Sequence, residues 1–132
     1  MYGGSYIGGL FGSLDSCTTV NLINLNNYGK INGIGSKYVG GISGEAYLRG
    51  NEQSARFINL HNFGDIVNSG GSYVAGIIGY MSGSSYDNMK IEKCYNKGNI
   101  TVDTSGIQVG GIIGQYSCSS KMLYLTETYN TG

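Results

Sequence analysis

Eight carboxylates and one imidazole are the proton-moving side chains in this 132-residue sequence: Asp15, Asp65, Asp87, Asp103, Glu45, Glu52, Glu92, Glu127 and His61. Acid-base cleavage of a polysaccharide needs two carboxyl groups held roughly 5 to 10 Å apart on one face. When the chain is aligned on its own internal repeat, no position carries an acid twice, and Glu92 and Glu127 fall one register apart. That is no catalytic cluster. His61 stands where the other repeats have Asn26, Tyr95 and Tyr129, which reads as a surface turn residue rather than a base. Ser82-Gly83-Ser84-Ser85 lacks the strand-turn-helix setting of a nucleophile elbow and reads as solvated loop. We therefore expect no catalytic residue, and a carbohydrate-active enzyme is the least favoured function class.

Metal and redox chemistry fare no better. Cys17, Cys94 and Cys118 are odd in number and lack Cys-x-x-Cys spacing, so neither a disulfide framework nor a zinc site is expected. Cys94 falls where other repeats place Leu25, Leu60 and Thr128 and reads as a small core hydrophobe. Calcium-binding repeats carry Gly-Gly-x-Gly-x-Asp, which does not occur here. No metal and no cofactor is expected.

What must position these side chains is a repeat. Tyr6 to Gly12, Tyr38 to Gly44, Tyr73 to Gly79 and Gln108 to Gly114 are four versions of one glycine phrase, 32, 35 and 35 residues apart. A second phrase, Asn-x-Gly, begins at Asn27, Asn62, Asn96 and Asn130, with spacings of 35, 34 and 34. A fixed period in this range means a solenoid or array. No stretch sustains helical spacing of apolar residues, and 24 glycines would not let a helix persist.

Each repeat reads as three short strands. The first is the glycine phrase, with Ile7, Val39, Val74 and Val109 inward, and Leu10, Ile42, Ile77 and Ile112 inward again three residues on. That spacing breaks the strand period of two, so the glycine pair should hold a bulge or corner where a side chain would collide. The second strand places Leu22, Phe57, Ile91 and Leu125 inside, and Leu25 and its equivalents after a further bend. The third begins at Ile31, Ile66 and Ile100, after an Asn-x-Gly turn in which glycine would supply positive φ. Between the first two strands lie stretches of variable length, Ser13 to Val20, Glu45 to Arg56, Met81 to Lys90 and Gln115 to Leu123, which read as loops on a binding face.

A strand of four or five residues cannot bury its inner face alone, so each coil must lie on the next. The expected fold is all-β: one domain, residues 1–132, forming a parallel β-helix (β-solenoid) of about four coils, near 5–35, 36–71, 72–106 and 107–132. Equivalent residues then stack in columns. Asn27, Asn62, Asn96 and Asn130 should form a structural amide ladder at the ~4.8 Å strand spacing. Tyr6, Tyr38 and Tyr73 form one aromatic column, continued by Gln108, and Tyr28 and Phe63 another, continued by Lys97. These five aromatics are the candidate ligand-facing residues for a sugar ring or a protein partner, although rings in such columns also support the sheet.

Composition narrows the partners. Charged residues are 12% of the chain against about 25% in a typical soluble domain, and net charge is zero, so no basic stripe exists for nucleic acid. The longest apolar runs fall far short of the roughly 20 residues that span a bilayer, so no membrane insertion is expected. Polar cover by Ser, Asn, Thr, Gly and 12 Tyr fits an extracellular scaffold. Met1-Tyr2-Gly3-Gly4 has no signal-peptide character, which fits a cytoplasmic protein or an internal piece of a longer secreted chain.

The alternation of these phrases resembles the GLUG motif family, most closely at Val109 to Gly114 (VGGIIG) and Cys94 to Ile100 (CYNKGNI). The resemblance covers nearly the whole chain, with Leu25-Asn26-Asn27 and Leu60-His61-Asn62 departing from Cys-Tyr-Asn in the first two repeats. It implies a repeat region of large bacterial surface proteins, among them adhesin-like proteins and metallopeptidases that cleave immunoglobulin A, where the repeats are accessory to the catalytic domain. The expected function is a non-enzymatic structural or interaction module, an adhesin-like stalk or ligand-binding scaffold, with glycan or host protein as the outside partner. Neither end carries a recognisable polar cap, so other coils of the same or a neighbouring chain are also expected partners, and a self-assembling extracellular filament is the second reading.

Overall fold

A computed structural model describes residues 5–17, 19–49, 54–103 and 108–132. Among them there are fifteen strands and no helix, and every strand pairing is parallel. The chain winds as a β-solenoid of about three full turns, close to the four coils expected, with four rungs in its first sheet. That sheet stacks β1 (Tyr6–Gly8), β5 (Tyr38–Gly40), β9 (Tyr73–Ala75) and β13 (Gln108–Gly110) in order. The second sheet has eight strands: β2 (Phe11–Cys17), β3 (Val20–Asn27), β6 (Ser43–Arg49), β7 (Ser54–Asn62), β10 (Ile78–Glu92), β11 (Tyr95–Asn96), β14 (Ile113–Thr126) and β15 (Tyr129–Asn130). The third holds β4 (Ile31–Asn32), β8 (Ile66–Asn68) and β12 (Ile100–Val102).

The registers are those of the repeat. Ile7 pairs with Val39, Val39 with Val74 and Val74 with Val109. Leu22 pairs with Phe57, Phe57 with Ile91 and Ile91 with Leu125. Because each coil repeats the same inward pattern, these columns bury without any strand needing a long apolar run.

Two expectations are corrected. The stretches read as variable loops are largely strand: β2 and β6 run through their first halves, and β10 and β14 cross them whole, in register from Ile78↔Ile113 to Glu92↔Thr126 with a shift between Ser84 and Tyr86. Alternating small and apolar residues such as Ala46, Leu48 and Met81 give those stretches an inner face, and all three are fully buried. The glycine of Asn-x-Gly does not have positive φ either; among the described glycines that conformation belongs to Gly35, Gly70 and Gly83. Gly64 and Gly98 are required for close approach instead, since an added Cβ would lie 2.1 Å from the Gly29 carbonyl oxygen and 2.0 Å from that of Gly64.

The interior divides into two apolar compartments. The larger lies within the second sheet, where Ala46, Leu48, Ala55, Phe57, Leu60, Met81, Met89 and Ile91 pack together. The smaller lies between the first and third sheets and contains Ile7, Ile31, Val39, Ile66 and Val74. Along each wall the two compartments meet at the second glycine of the first phrase and the asparagine of the second phrase. An added Cβ on Gly9, Gly41, Gly76 or Gly111 would come within 2.5, 2.5, 2.4 or 2.4 Å of the side chain of Asn27, Asn62, Asn96 or Asn130 respectively. The expected corner at the glycine pair is therefore present. Its cause is the opposite wall, pinched into a waist.

Candidate functional site

Inside the waist, the four asparagines form a continuous ladder. Nδ2 of Asn27 donates to Oδ1 of Asn62, Asn62 to Asn96, and Asn96 to Asn130, each at 2.7 Å. The second amide hydrogen of each rung goes to the carbonyl two residues on, at Gly29, Gly64, Gly98 and Gly132. Asn62 and Asn96 are fully buried, and every hydrogen of their amides is used. At these two inner rungs no amide hydrogen is left over.

The outer face of β3, β7, β10 and β14 is where side chains remain available. Along β3 the residues Val20, Leu22, Leu25 and Asn27 turn inward and Asn21, Ile23, Asn24 and Asn26 outward, so two successive residues share the outside at Ile23-Asn24. A left-handed residue makes that phase change in every coil: Asn24, Asn59, Lys93 and Glu127 have φ of 60°, 59°, 54° and 51°. Asn59 Nδ2 donates to Asn24 Oδ1 at 2.6 Å, a second and exposed amide rung. The bend is legible from the spacing of Leu22 and Leu25, but its outward column carries no repeat signal in the sequence, because only two of its four members are asparagine.

Beside this column lie two shallow grooves. One, of about 430 Å³, is lined by Arg56, Asn88, Lys90 and Tyr124. The other, of about 360 Å³, is lined by Asn59, His61, Lys93, Tyr95, Glu127, Thr128 and Tyr129. Charge on this face is partly paired: Lys90 Nζ lies 2.6 Å from Glu92 and Lys93 Nζ 3.9 Å from it. The hydrogen bond from Lys90 holds the half-buried Glu92 carboxyl below its ordinary range.

The aromatic columns exist in the expected registers, with a geometry that limits them. Tyr6 and Tyr38 stack at 5.2 Å between centroids, Tyr38 and Tyr73 at 5.3 Å, and Tyr28 and Phe63 at 4.7 Å. Rings stacked this way occupy each other's faces and offer a ligand mainly their edges. Tyr38 in particular is not ligand-facing: it is buried, with Tyr80 stacked on it at 4.9 Å. Tyr28 is 71% exposed and Tyr6 42%, while Tyr73 and Phe63 are half-buried. Lys97 continues the Tyr28 and Phe63 column and sits 5.8 Å from the Phe63 centroid and 5.2 Å from that of Tyr95.

His61 is not a turn residue. It lies within β7, half-buried, its ring 3.8 Å from that of Tyr95 and its Nδ1 2.8 Å from Asn26 Oδ1. Burial lowers its pKa from the ordinary value, Lys97 adds to the effect, and a backbone hydrogen bond opposes it. Cys94 is fully buried, as its column predicted, with Sγ 3.4 Å from the Phe57 carbonyl oxygen. Cys118 is half-buried and its thiol is pushed up to about 11 by burial, which leaves it in the unreactive form at neutral pH. The side chain of Cys17 lies outside the described residues, as do those of Asp87 and Ser84 and Ser85. No helix among the described residues is long and apolar enough to cross a membrane. Comparison with family models, with curated proteins and with solved structures finds no match to this chain.

Proposed function

We propose that this chain is a non-enzymatic interaction module of a bacterial cell-surface or secreted protein, an adhesin-like scaffold that presents the outer face of its second sheet to a glycan or a host protein. The observation that carries the reading is a contrast between inside and outside. Inward columns repeat residue type from coil to coil, as in Ile7, Val39, Val74 and Val109, whereas the neighbouring outward column changes from Asn21 to Arg56, Lys90 and Tyr124. A scaffold that holds its core constant while varying one flat face is built to display that face. Arg56, Lys90 and Tyr124 offer a ligand hydrogen-bond donors and an aromatic surface beside a groove, a combination suited to hydroxyl-rich or anionic surfaces.

The test is binding of multivalently displayed protein to arrays of glycans and host-surface proteins. Saturable binding weakened about tenfold or more by Arg56→Ala combined with Tyr124→Ala is the expected result, since about 1.4 kcal/mol corresponds to each tenfold. Absence of any binding overturns the interaction reading, and turnover of a bound glycan overturns the non-enzymatic one.

A further inference from the structure

The outer face of the second sheet sorts charge that the sequence spreads out. Along β2 and β6 the outward side chains include Asp15, Glu45 and Arg49, and Ser13 Oγ donates to Glu45 at 3.0 Å. Beyond them, along β7 and the later part of β10 and β14, the described charges are Arg56, Lys90, Lys93 and Lys97 against Glu92 and Glu127. A chain of zero net charge thereby carries a cationic strip down one part of one face. All four cations belong to the second and third coils, so the strip is complete whatever adjoins the first and the last.

These cations converge. Lys90 Nζ lies 2.6 Å and Lys93 Nζ 3.9 Å from the Glu92 carboxylate. The pKa of that carboxyl is lowered first by the Lys90 hydrogen bond and then by the charges of Lys90, Lys93 and Arg56. Three cations thus face the place where one carboxylate sits, and two of their charges are left unmatched by it. Lys97 is the fourth, and its Nζ lies beside rings rather than an acid, 5.2 Å from the Tyr95 centroid and 5.8 Å from that of Phe63. The two grooves flank this set, one at Asn88 and Lys90, the other at Lys93 and Tyr95. From Asn88 to Tyr95 is about 20 Å of strand. The linings add uncharged hydrogen-bonding groups from Asn59, Asn88 and Thr128.

The geometry points to an acidic glycan as the ligand of this face, lying along the third coil with its carboxylate or sulfate groups on Arg56, Lys93 and Lys97 and its hydroxyls on the groove amides. This assignment rests on the reading of the face as an interaction surface and names the chemistry that the surface recognises. Nucleic acid fits the strip less well. Duplex DNA carries one charge per ~1.7 Å of axis, and Glu92 and Glu127 within the strip oppose so dense a row of phosphates. A polysaccharide with one anion to a sugar or two passes between those acids, and its hydroxyls use Asn59, Asn88 and Thr128, which a phosphate backbone would leave idle.

Biolayer interferometry of the immobilised chain against polygalacturonate, dextran sulfate, neutral dextran and single-stranded oligothymidylate, at physiological salt, reads the assignment. Binding to at least one of the two acidic glycans and not to neutral dextran is expected, and the preferred one identifies carboxylate or sulfate as the recognised group. Lys93→Gln combined with Lys97→Gln should weaken that binding about tenfold. Lys37→Gln removes an exposed cation that lies over the Tyr38 ring, outside the strip, and should leave it unchanged. Glu92→Gln releases Lys90 and Lys93 from their internal partner and should tighten binding about threefold, a gain that a misfolded variant would not show. No binding to either acidic glycan, equal loss with Lys37→Gln, no gain with Glu92→Gln, or oligothymidylate bound as tightly as the glycans would each overturn the assignment. If neutral glycans or proteins are bound in place of acidic ones, the assignment falls and the interaction reading stands; if nothing is bound at all, both fall.

Discussion

Gly41 lies directly against Asn62: a Cβ added to the glycine would sit 2.5 Å from the asparagine Cγ and 1.9 Å from the Gly76 carbonyl oxygen. The two residues come from the two phrases that the repeat makes conspicuous, and their contact is the reason for both. The glycine has to be bare because the amide opposite it fills the waist, and the amide has to be asparagine because it bonds to the rungs on either side.

Gly41→Ala should consequently cost about 3 kcal/mol, the upper end for forcing extra volume into a packed site. Gly29→Ala is the control, since there the nearest atom to an added Cβ among the described residues is Asn27 Oδ1, at an ordinary 3.5 Å. Urea denaturation of both variants measures the difference, and equal stabilities would refute the account of the waist.

Asn62→Ala leaves the Asn27 amide without its acceptor and Asn96 Oδ1 without its donor. The Gly64 carbonyl loses its donor as well; an unmet buried polar group costs about 1 to 3 kcal/mol, and three are created here. Asn130→Ala, at an exposed rung with one neighbour, should cost less than half as much. The gradient between the two positions is the measurement.

Asn68 is 1% exposed, and among the described residues neither its Oδ1 nor its Nδ2 has a hydrogen-bond partner. One coil on, the same register position is Val102. Asn68→Val should raise stability by about 1 kcal/mol or more, because it removes a desolvated amide and adds apolar contact. A lowered urea midpoint would show that the amide has a partner the fold needs.

Lys93 holds a left-handed conformation that costs most residues about 1 to 2 kcal/mol and asparagine less. Lys93→Asn should stabilise the chain by about 0.5 to 1 kcal/mol while extending the Asn24–Asn59 rung. Its exposed ion pair with Glu92, at 3.9 Å, is worth little in comparison.

Stability should fall with acid through His61. Its folded pKa lies below the ordinary 6.5, so the unfolded chain binds the proton first. The stabilisation is therefore complete above about 6.5 and is lost as pH drops toward the folded value. His61→Asn, which copies Asn26 in the same column, should flatten the stability profile between about pH 7 and 5, above the range where most carboxylates titrate. Denaturation midpoints at those pH values decide it.

How much of this was legible before the fold was known depends on what each residue answers to. Columns such as Ile7 and Val39, Asn27 and Asn62, or Tyr6 and Tyr38 answer to the copy of themselves one period away, and periodicity exposes them. The Gly41 to Asn62 contact links two different phrases across the waist, and no spacing encodes that. Ala46, Leu48 and Met81 read as loop because their segments vary in length and carry Ser and Gly, yet between β10 and β14 that variation is taken up by one register shift inside continuous strands. Among the site residues, His61 and Tyr38 owe their burial to rings in adjoining coils, a lateral effect that their own sequence neighbours do not announce.

The uniformity of the rungs has a cost in folding. If β5 were to pair with β13 in place of β9, Val39 would meet Val109 and the waist would still close with a glycine on one wall and an asparagine on the other. A whole-coil slip of this kind sacrifices few contacts, so the pairing rules alone do not tell one coil from its neighbour, and repeat proteins characteristically misassemble in this way. What distinguishes the coils is their irregularities: Cys94 in the column of Leu60, Val102 in that of Asn68, Gln108 at the end of the tyrosines. In this chain the departures from the repeat act as addresses, and a version made perfectly regular should fold to a mixture of registers.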